Sequence, residues 1–453
     1  MNEVLIMFLN VHVKNYKSLI DFQFILMEKK DNYKELALVY GENGSGKTNI
    51  VSVFYTLIET LQTTGLKNFI EDMLSKEKDD LPPESLIELL RSQISDTEKI
   101  IKKNKTIGVT NENLFLQFDF VVDGQTGSYT VEFDDEKVIS EKLDYQVEKR
   151  KSTLFNLSTK NIFLHSKMFA SKEYSSEIAT KIKKYWGKHT LMSILVFEFM
   201  EKNSEYIKEN VNSNFTKVLE SFANVHCYAD FTVPLSIISE KNLPLNGEFL
   251  RGVIGSGYNY ELDEISEILT DVFSSLYSDI KQLYYEVEYR SNGDIEYELY
   301  LKKMIGGKMR VLPFKLESKG TTNILKLLTP LLLAIQGKTV ILDEFDAGIH
   351  DILVRDLFEE ISNSISGQLI MTTHNTLLLE SEVENKYLYI ISIDEEGNKE
   401  IHSLDKYDLR VHKNHNRRSQ YLKGLYHGVP IVGNLDFELV ADQLKTLNTK
   451  ADN

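Results

Sequence analysis

The sequence contains a single cysteine, Cys227, among 453 residues. One cysteine cannot form a disulfide within the chain, which excludes a small secreted fold held together by disulfides. The near absence of cysteine instead favours a reducing compartment, and we expect the protein to be cytoplasmic. Free cysteine is among the most buried residue types, so Cys227 is predicted to be a small side chain of the core.

Long hydrophobic runs are also missing. A membrane-spanning helix needs about 20 consecutive apolar residues, and the best candidates, 191–200 and 325–335, are much shorter. The N-terminal run at 4–9 has no cationic leader, which is typical of a strand rather than of a secretion signal. The sequence therefore predicts no membrane partner.

Positive charge is in deficit, because 52 Lys and Arg face 68 Asp and Glu, for a net charge of −16. Binding to a nucleic-acid backbone needs clustered lysine and arginine, and the field of this chain as a whole opposes it. The densest basic stretches, 181–188 and 410–418, are more typical of solvated surface. Direct contact with DNA is left open only for a local basic groove.

One glycine-rich segment, which we call the phosphate loop, carries the strongest functional signal. It matches G-x-x-x-x-G-K-[ST], follows an apolar segment at 36–40 and precedes a helical pattern at 49–60. Strand, loop and helix in this order bind nucleotide phosphates through backbone N–H groups. The predicted ATP-binding residues of the loop are Gly41, Glu42, Asn43, Gly44, Ser45, Gly46, Lys47 and Thr48.

Within the loop, the Lys47 ammonium is predicted to contact the β- and γ-phosphates, and the Thr48 hydroxyl to ligate Mg²⁺. A second part of the site is the apolar strand at 340–342, which ends in two carboxylates. Asp343 is the predicted Mg²⁺ partner, and Glu344 is the predicted catalytic base that orients the attacking water.

Two further residues complete this acidic region. His374 ends the next predicted strand, 368–372, where it could sense the γ-phosphate and assist catalysis. Asp346 lies in the turn after Glu344, and we expect it at the ATP site beside a partner subunit.

The tripeptide Ser318-Lys-Gly320, which we call the signature, opens a predicted helix shortly before the acidic strand. A hydroxyl, a glycine backbone and a helix N-terminus together form an anion site. Ser318 and Gly320 are predicted to bind the ATP of a second subunit. Phosphate loop, long insertion, signature and acidic strand follow one another as in an ABC-type ATPase, which completes its site by dimerising.

The predicted fold is α/β: an ABC-type P-loop ATPase head with an antiparallel β lobe and a helical insertion. Residues 1–150 are the predicted N-terminal ATPase lobe, with the phosphate loop and an antiparallel meander. Residues 151–280 are the predicted helical insertion. Residues 281–453 are the predicted C-terminal ATPase lobe, with the signature, the acidic strand, His374 and a tail.

These motifs resemble those of the SMC-like ABC ATPases of bacterial phage-defence systems, the group related to the OLD (overcoming lysogenization defect) ATPases and to RloA- and AbiL-type ATPases. The segment 409–430, which includes Tyr421-Leu-Lys-Gly-Leu-Tyr-His-Gly-Val-Pro430, resembles the tail of RloA-like proteins. The signature departs from the transporter pattern Leu-Ser-Gly-Gly-Gln, as it does in the OLD-like group. ABC-type ATPases also have a glutamine loop. Its position in this sequence is left open, with Gln93 and Gln117 as the candidates.

The resemblance implies ATP hydrolysis with ATP and Mg²⁺ as cofactors, in a homodimer or a higher even-numbered assembly. It also implies control of a separate effector, a Toprim or RloB-like nuclease, because no Glu…Asp-x-Asp set follows His374. The alternative is a RecF- or SMC-like repair or recombination ATPase that binds DNA directly. A nucleotide-gated scaffold with negligible turnover is the third hypothesis.

Four histidines near the C-terminus raise the question of a metal or nuclease centre. They are His402, His412, His415 and His427. Their spacing matches no closed zinc pattern and no cysteine lies nearby, so we expect a solvated loop or a tail close to the phosphates.

Overall fold

The computed structural model describes residues 5–29, 32–64, 96–148, 150–229, 244–255, 259–407, 416–429 and 436–451. The strands are β1 (Ile6–Tyr16), β2 (Leu19–Ile25), β3 (Leu36–Tyr40), β4 (Leu114–Val122), β5 (Gln125–Phe133), β6 (Val138–Gln146), β7 (Lys151–Ser158), β8 (Ile162–Leu164), β9 (Val225–Tyr228), β10 (Arg251–Ile254), β11 (Ile280–Tyr289), β12 (Ile295–Ile305), β13 (Lys308–Pro313), β14 (Thr339–Leu342), β15 (Gln368–Thr372), β16 (Leu388–Ile393) and β17 (Lys399–Ser403).

The helices are α1 (Lys47–Gln62), α2 (Thr97–Asn104), α3 (Lys172–Tyr185), α4 (Leu191–Glu201), α5 (Ser204–Asn210), α6 (Ser213–Ala223), α7 (Asn259–Leu276), α8 (Lys319–Ile335), α9 (Asp351–Ser362), α10 (Arg417–Leu422) and α11 (Phe437–Ala451). None of these described helices is both long and apolar enough to cross a lipid bilayer.

The central sheet has six strands in the order β17-β16-β3-β15-β14-β9. The five strands β16, β3, β15, β14 and β9 run parallel to one another, and β17 is antiparallel to β16. Every residue of β3, β14 and β15 is buried. Continuous apolar strands of this kind are expected where a parallel sheet is covered on both faces.

Alternate residues of these strands face two different cores. Ala37, Val39 and Ile341 pack with α1 and the N-terminal sheet, whereas Leu38 and Leu342 pack with α8 and α9. The parallel strands are thus buried between the two cores. Because they run in the same direction, the loops that follow them leave from the same end of the sheet.

The antiparallel lobe is a seven-stranded sheet in the order β2-β1-β4-β5-β6-β7-β8. In β4, buried and half-buried residues alternate strictly from Leu114 to Val122. This period of two, which was visible in the sequence, buries one face of the sheet. The prediction of an α/β fold with an antiparallel β lobe is confirmed.

The segment 151–280 differs in part from the predicted helical insertion. Helices α3 to α6 occupy its middle, but β7 extends the antiparallel sheet beside β6, and β9 joins the central sheet beside β14. The four residues of β9 are too few to show a period of their own. Cys227 lies in this strand and is buried, at 1% exposure, as predicted for a core cysteine.

A third sheet precedes the signature. Strands β10, β12 and β11 pair in that order, and β13 pairs with residues 300–305 of β12, beyond the stretch at 295–298 that pairs with β10. Strands β11 and β12 form an antiparallel hairpin around 290–294. Strand β13 leads directly into α8, so this sheet determines where the signature helix begins.

Candidate nucleotide-binding site

The phosphate loop connects β3 to α1 and is shaped by glycine. Gly44 and Gly46 have φ values of +84° and +109°, which are left-handed conformations that L side chains rarely adopt. Ser45 N donates to the Glu42 carbonyl at 3.2 Å and closes a turn inside the loop. The resulting backbone places N–H groups at the start of α1, where the helix dipole favours an anion.

Lys47 is the first side chain of α1 and is nearly buried, at 6% exposure. Its Nζ donates to the carbonyl oxygens of Gly41 at 2.7 Å and Glu42 at 3.1 Å, so the ammonium lies against the loop itself. Burial lowers the pKa of Lys47, while the nearby carboxylates of Glu344 and Asp343 act in the opposite direction. The phosphate-loop lysine and the acidic strand therefore share one electrostatic environment, although they are far apart in sequence.

Thr372 organises the acidic strand through its hydroxyl group. Its Oγ1 donates to Asp343 Oδ1 at 2.5 Å and accepts from the backbone N–H of Glu344 at 2.8 Å. Glu344 has a φ of +45°, a conformation that is uncommon outside glycine and that needs support from its surroundings. Asp343 is buried, and the Glu344 carboxylate is half exposed.

His374 lies beside these carboxylates. Its Nε2 is 3.9 Å from Glu344 Oε1, and its backbone N–H donates to Asp346 Oδ2 at 3.2 Å. Burial and the Lys47 charge lower the pKa of His374, against the opposite effect of the nearby carboxylates, which favours the neutral imidazole. A neutral imidazole can accept one hydrogen bond and donate another.

The Asp346 carboxylate accepts the hydrogen bond that the backbone N–H of His374 donates. Burial raises the pKa of its carboxyl, and its Oδ1 is buried without a hydrogen bond in the described structure. The Asp346 carboxylate therefore lies beside the His374 backbone and acts to raise the pKa values of Lys47 and His374, while its role at the ATP site stays a prediction. Thr48 lies exposed in the first turn of α1, on the open side of the loop.

The signature lies elsewhere on the same chain. Ser318 is the N-cap of α8, and its Oγ accepts from Thr321 N at 3.2 Å. A Cβ on Gly320 would lie 2.7 Å from the carbonyl oxygen of Gly348, so only glycine allows this approach. Asn323 Nδ2 donates to the Ala347 carbonyl at 2.8 Å. Among the described residues, no hydrogen bond joins Ser318 or Gly320 to the phosphate loop.

The tail that resembles RloA-like proteins docks behind the His374 loop. Arg417 donates to the carbonyl oxygens of Leu379 at 2.8 Å and Val383 at 2.5 Å, and it also bonds Ser381. The ring of Tyr421 packs 5.8 Å from that of Tyr40, the last residue of β3. The tail therefore supports the strand ends from which the phosphate loop and the His374 loop depart.

The remaining sequence candidates do not join the site. His402 Nε2 pairs with Glu400 at 3.2 Å, and His427 lies in the tail, while His412 and His415 fall outside the described residues. Gln117 lies within β4 and donates to Asp119 at 3.0 Å. Gln93 also falls outside the described residues.

Two contributors were missed by sequence reasoning. Thr372 is the last residue of β15 and stands two positions before His374, so its place at a strand end was the available signal. Lys399 reaches the phosphate loop from β17 with its Nζ 2.9 Å from the Gly44 carbonyl. A lysine after a hairpin turn carries no sequence signal for such a contact.

A glycine-rich loop before a helix, two carboxylates after a buried parallel strand and a histidine after the next strand are arranged as in a P-loop ATPase. The chain matches, over residues 36–380, the model of the family described as "AAA domain, putative AbiEii toxin, Type IV TA system". Because the match covers most of the chain, the protein belongs to this family. No curated protein matches the sequence.

Solved structures with a similar fold include heads of SMC proteins. An SMC head bound to the C-terminal winged-helix domain of ScpA is 15% identical, with a TM-score of 0.44, covering 88% of this chain and 97% of that chain. An SMC head with an extended coiled coil, bound to the C-terminal domain of ScpA derived from Pyrococcus furiosus, is 14% identical, with a TM-score of 0.41 and coverage of 93% and 100%. The SMC head from Thermotoga maritima is 14% identical, with a TM-score of 0.35 and coverage of 88% and 98%.

We predict that Thr372→Val lowers ATP turnover at saturation by about tenfold or more, because small misplacements of a catalytic group are costly. The substitution keeps the shape of the side chain but removes both hydrogen bonds that hold Asp343 and Glu344. The phosphate loop is untouched, so the KM for ATP should change little. A steady-state assay of phosphate release measures both values.

Thr60→Val is the matched control. Thr60 is as buried as Thr372, and its hydroxyl donates only to the Leu57 carbonyl of its own helix, at 2.6 Å. This variant should lose some stability but keep its kcat. A Thr372→Val protein that turns over ATP like the wild type would show that the hydroxyl does not position the acidic strand.

Proposed function

We propose that the protein is an ATPase that hydrolyses ATP with Mg²⁺ in a head-to-head dimer and thereby controls a separate effector in phage defence. The observation that carries the proposal is that Lys47, Asp343, Glu344 and His374 lie close together in space. They come from the ends of three adjacent parallel strands, β3, β14 and β15, and influence one another electrostatically.

The residues present fit a magnesium ion. Mg²⁺ prefers oxygen ligands and keeps several waters, so one or two protein oxygens beside the phosphates suffice. Thr372 engages only Oδ1 of Asp343, and no hydrogen bond within the described residues engages Oδ2. Asp343 and Thr48 would hold the ion, which when bound neutralises charge on the phosphates.

The geometry of the chain supports the following catalytic roles. The N–H groups of the phosphate loop and the Lys47 ammonium bind the phosphates. Glu344, half exposed and held by Thr372, accepts a proton from the attacking water. His374, neutral and 3.9 Å from Glu344, orients the same water or the γ-phosphate by a hydrogen bond.

A dimer is proposed because, among the described residues, neither Ser318 nor Gly320 forms a hydrogen bond with the phosphate loop of the same chain. Ser318 is exposed at the start of α8, and the helix N-terminus beside it favours an anion. Gly320 of the signature packs against the backbone of Gly348, in the turn that follows the acidic strand of the same chain. In a head-to-head pair, the signature of one subunit would cover the ATP of the other.

Two resemblances support the effector role. The family description names a toxin of a Type IV TA system, which favours a function alongside another component. A nuclease of the Toprim or RloB-like kind is the effector we propose, acting in the cytoplasm. The sequence resemblance to phage-defence ATPases supports this choice.

Glu344→Gln should abolish hydrolysis while ATP stays bound, because a general base typically contributes about 10²- to 10⁴-fold. The variant keeps Asp343 and the phosphate loop, so trapped nucleotide should stabilise the dimer by mass action. Phosphate release and sedimentation with ATP measure the two effects. Glu382→Gln, which changes an exposed carboxylate outside the predicted site residues, serves as the control. Wild-type turnover in Glu344→Gln would exclude Glu344 as the base, and negligible turnover in the wild type itself would favour the scaffold hypothesis.

Mixing two inactive variants tests the shared site. In a heterodimer of Ser318→Arg and Lys47→Ala, one composite site carries both lesions and the other carries neither. We therefore expect partial recovery of ATP turnover in the mixture, with neither variant active alone. The matched control is a mixture of Lys47→Ala and Glu344→Gln, which leaves no intact site and should stay inactive. Absence of recovery, with heterodimers shown to form, would contradict a signature that acts in trans.

One surface favours the DNA-binding alternative. The β12–β13 hairpin is basic within an acidic protein, and its exposed tip carries Lys308 and Arg310 beside a two-glycine turn. The adjoining Lys302 and Lys303 add to the positive charge, although Lys303 is paired with Glu317 at 2.9 Å. A local cluster of this kind can bind phosphates even when the net charge is negative.

A DNA titration separates the two functions. For an ATPase that acts through an effector, we expect duplex DNA to leave the rate of ATP turnover unchanged at low salt. Stimulation by DNA that disappears in the double variant Lys308→Glu, Arg310→Glu would favour the repair alternative. Lys183→Glu, in the basic stretch of α3, is the control for a general change of charge.

A further inference from the structure

Lys399 connects the edge of the central sheet to the phosphate loop. It is the first residue of β17, and its side chain crosses to the loop, where Nζ donates to the Gly44 carbonyl at 2.9 Å. The same ammonium donates to Ser18 Oγ, in the connection between β1 and β2, at 2.6 Å. None of the nucleotide-site motifs includes this lysine.

We propose that Lys399 is a positioning residue of the nucleotide site, whose ammonium fixes the Gly44–Ser45 peptide and thereby the loop shape that ATP binds. The proposal rests on the proposed function, because it assumes that the loop binds ATP. It adds the β16–β17 hairpin, which lies at the far end of the sheet from β14, to the elements that determine nucleotide affinity.

The first argument is the geometry of a planar peptide. In a trans peptide the C=O and the following N–H point in opposite directions. With the Gly44 carbonyl held by Lys399, Ser45 N–H points the other way and donates to the Glu42 carbonyl at 3.2 Å. That carbonyl also accepts from Lys47 Nζ at 3.1 Å. A short series of hydrogen bonds therefore links Lys399 to the lysine that would bind the phosphates.

The second argument is the other anchor. Ser18 Oγ accepts from Lys399 and also from Asn49 Nδ2 at 2.7 Å, and Asn49 lies in the first turn of α1. Lys399 thus connects both ends of the phosphate-binding segment, the turn at Gly44 and the start of the helix. Movement of either end requires these contacts to break.

The third argument is the close approach of Gly46. A Cβ on Gly46 would lie 3.3 Å from Lys399 Cδ and 3.4 Å from its Nζ, closer than most side-chain contacts. The lysine stem therefore packs directly on the loop. Burial lowers the pKa of Lys399 and the Glu42 carboxylate opposes this shift, so a partly desolvated positive charge lies beside a loop that receives phosphates. Hydrogen bonds from such a charge are stronger than neutral ones.

The experiment measures the Kd of a non-hydrolysable ATP analogue by isothermal titration, together with kcat and KM for ATP. Lys399→Met keeps the aliphatic stem but removes the ammonium, and it should raise Kd and KM by about tenfold or more, as expected for a lost charged hydrogen bond. The kcat at saturation should fall by less than about twofold, because Lys399 does not touch the acidic strand. Lys399→Arg, which retains charge and donors, should recover most of the affinity.

Lys406→Met is the matched control, since Lys406 is an exposed lysine in the turn that follows β17. It should bind the analogue like the wild type. Ser18→Ala removes the second anchor and should weaken binding to a smaller extent. If Lys399→Met does not fold, Lys399→Arg and Ser18→Ala carry the comparison, and wild-type affinity in Ser18→Ala would then overturn the proposal.

The outcomes distinguish this inference from the proposed function. If the wild type binds the analogue, Lys47→Ala loses it and Lys399→Met keeps it, the inference fails and the ATPase assignment stands. If the wild type does not bind the analogue, both fail. A fall in kcat with unchanged KM would also overturn the inference, because a loop-positioning residue acts on binding.

Discussion

Parallel pairing of β3, β15 and β14 is the constraint on which the rest of the site depends. Residue 36 of β3 pairs with Leu369 of β15, and Thr339 of β14 pairs with Gln368, so the three strands start and end nearly together. Their following loops carry Lys47, His374 and Asp343. No single loop contains the chemistry, and a shift in the pairing of any one strand would separate the groups.

Two hydroxyl groups, of Thr372 and Ser18, and the Lys399 ammonium form hydrogen bonds that hold the loops at the strand ends. The Thr372 hydroxyl sits between Asp343 and the backbone of Glu344, and it supports a backbone conformation that an isolated turn would not keep. On the other side of the site, Ser18 and Lys399 hold the phosphate loop. Each of these contacts joins segments that are distant in sequence, so the site is assembled by tertiary structure rather than by its motifs alone.

The sequence predicted the elements that carry strong local patterns. The bounds of β3 and β15 agree with the predicted strands, and the alternation around Phe118 and Phe120 predicted the antiparallel sheet. Motif spacing also selected the residues that the structure places around Lys47. Whether those residues have the chemical roles assigned to them remains a prediction that the proposed variants address.

The sequence could not predict contacts that depend on long-range pairing. Strand β9 has four residues and is a strand only because β14 lies beside it. The approach of Gly348 to Gly320 and the reach of Lys399 to Gly44 join separate segments, and neither leaves a periodic trace. Local patterns report which face of an element is buried, but not which distant side chain will be opposite it.

The central sheet also has a consequence for biosynthesis. Its neighbours in space, β3, β15, β14 and β9, come from the beginning, the end and the middle of the chain. Strand β3 precedes its partners β15 and β16 by most of the described elements, so during synthesis it leaves the ribosome long before they do. Loop closure over such separations is slow, and unpaired apolar strands are prone to aggregate while they wait. Until β15 and β16 are available, the apolar strand β3 remains without the neighbours that bury it in the folded protein.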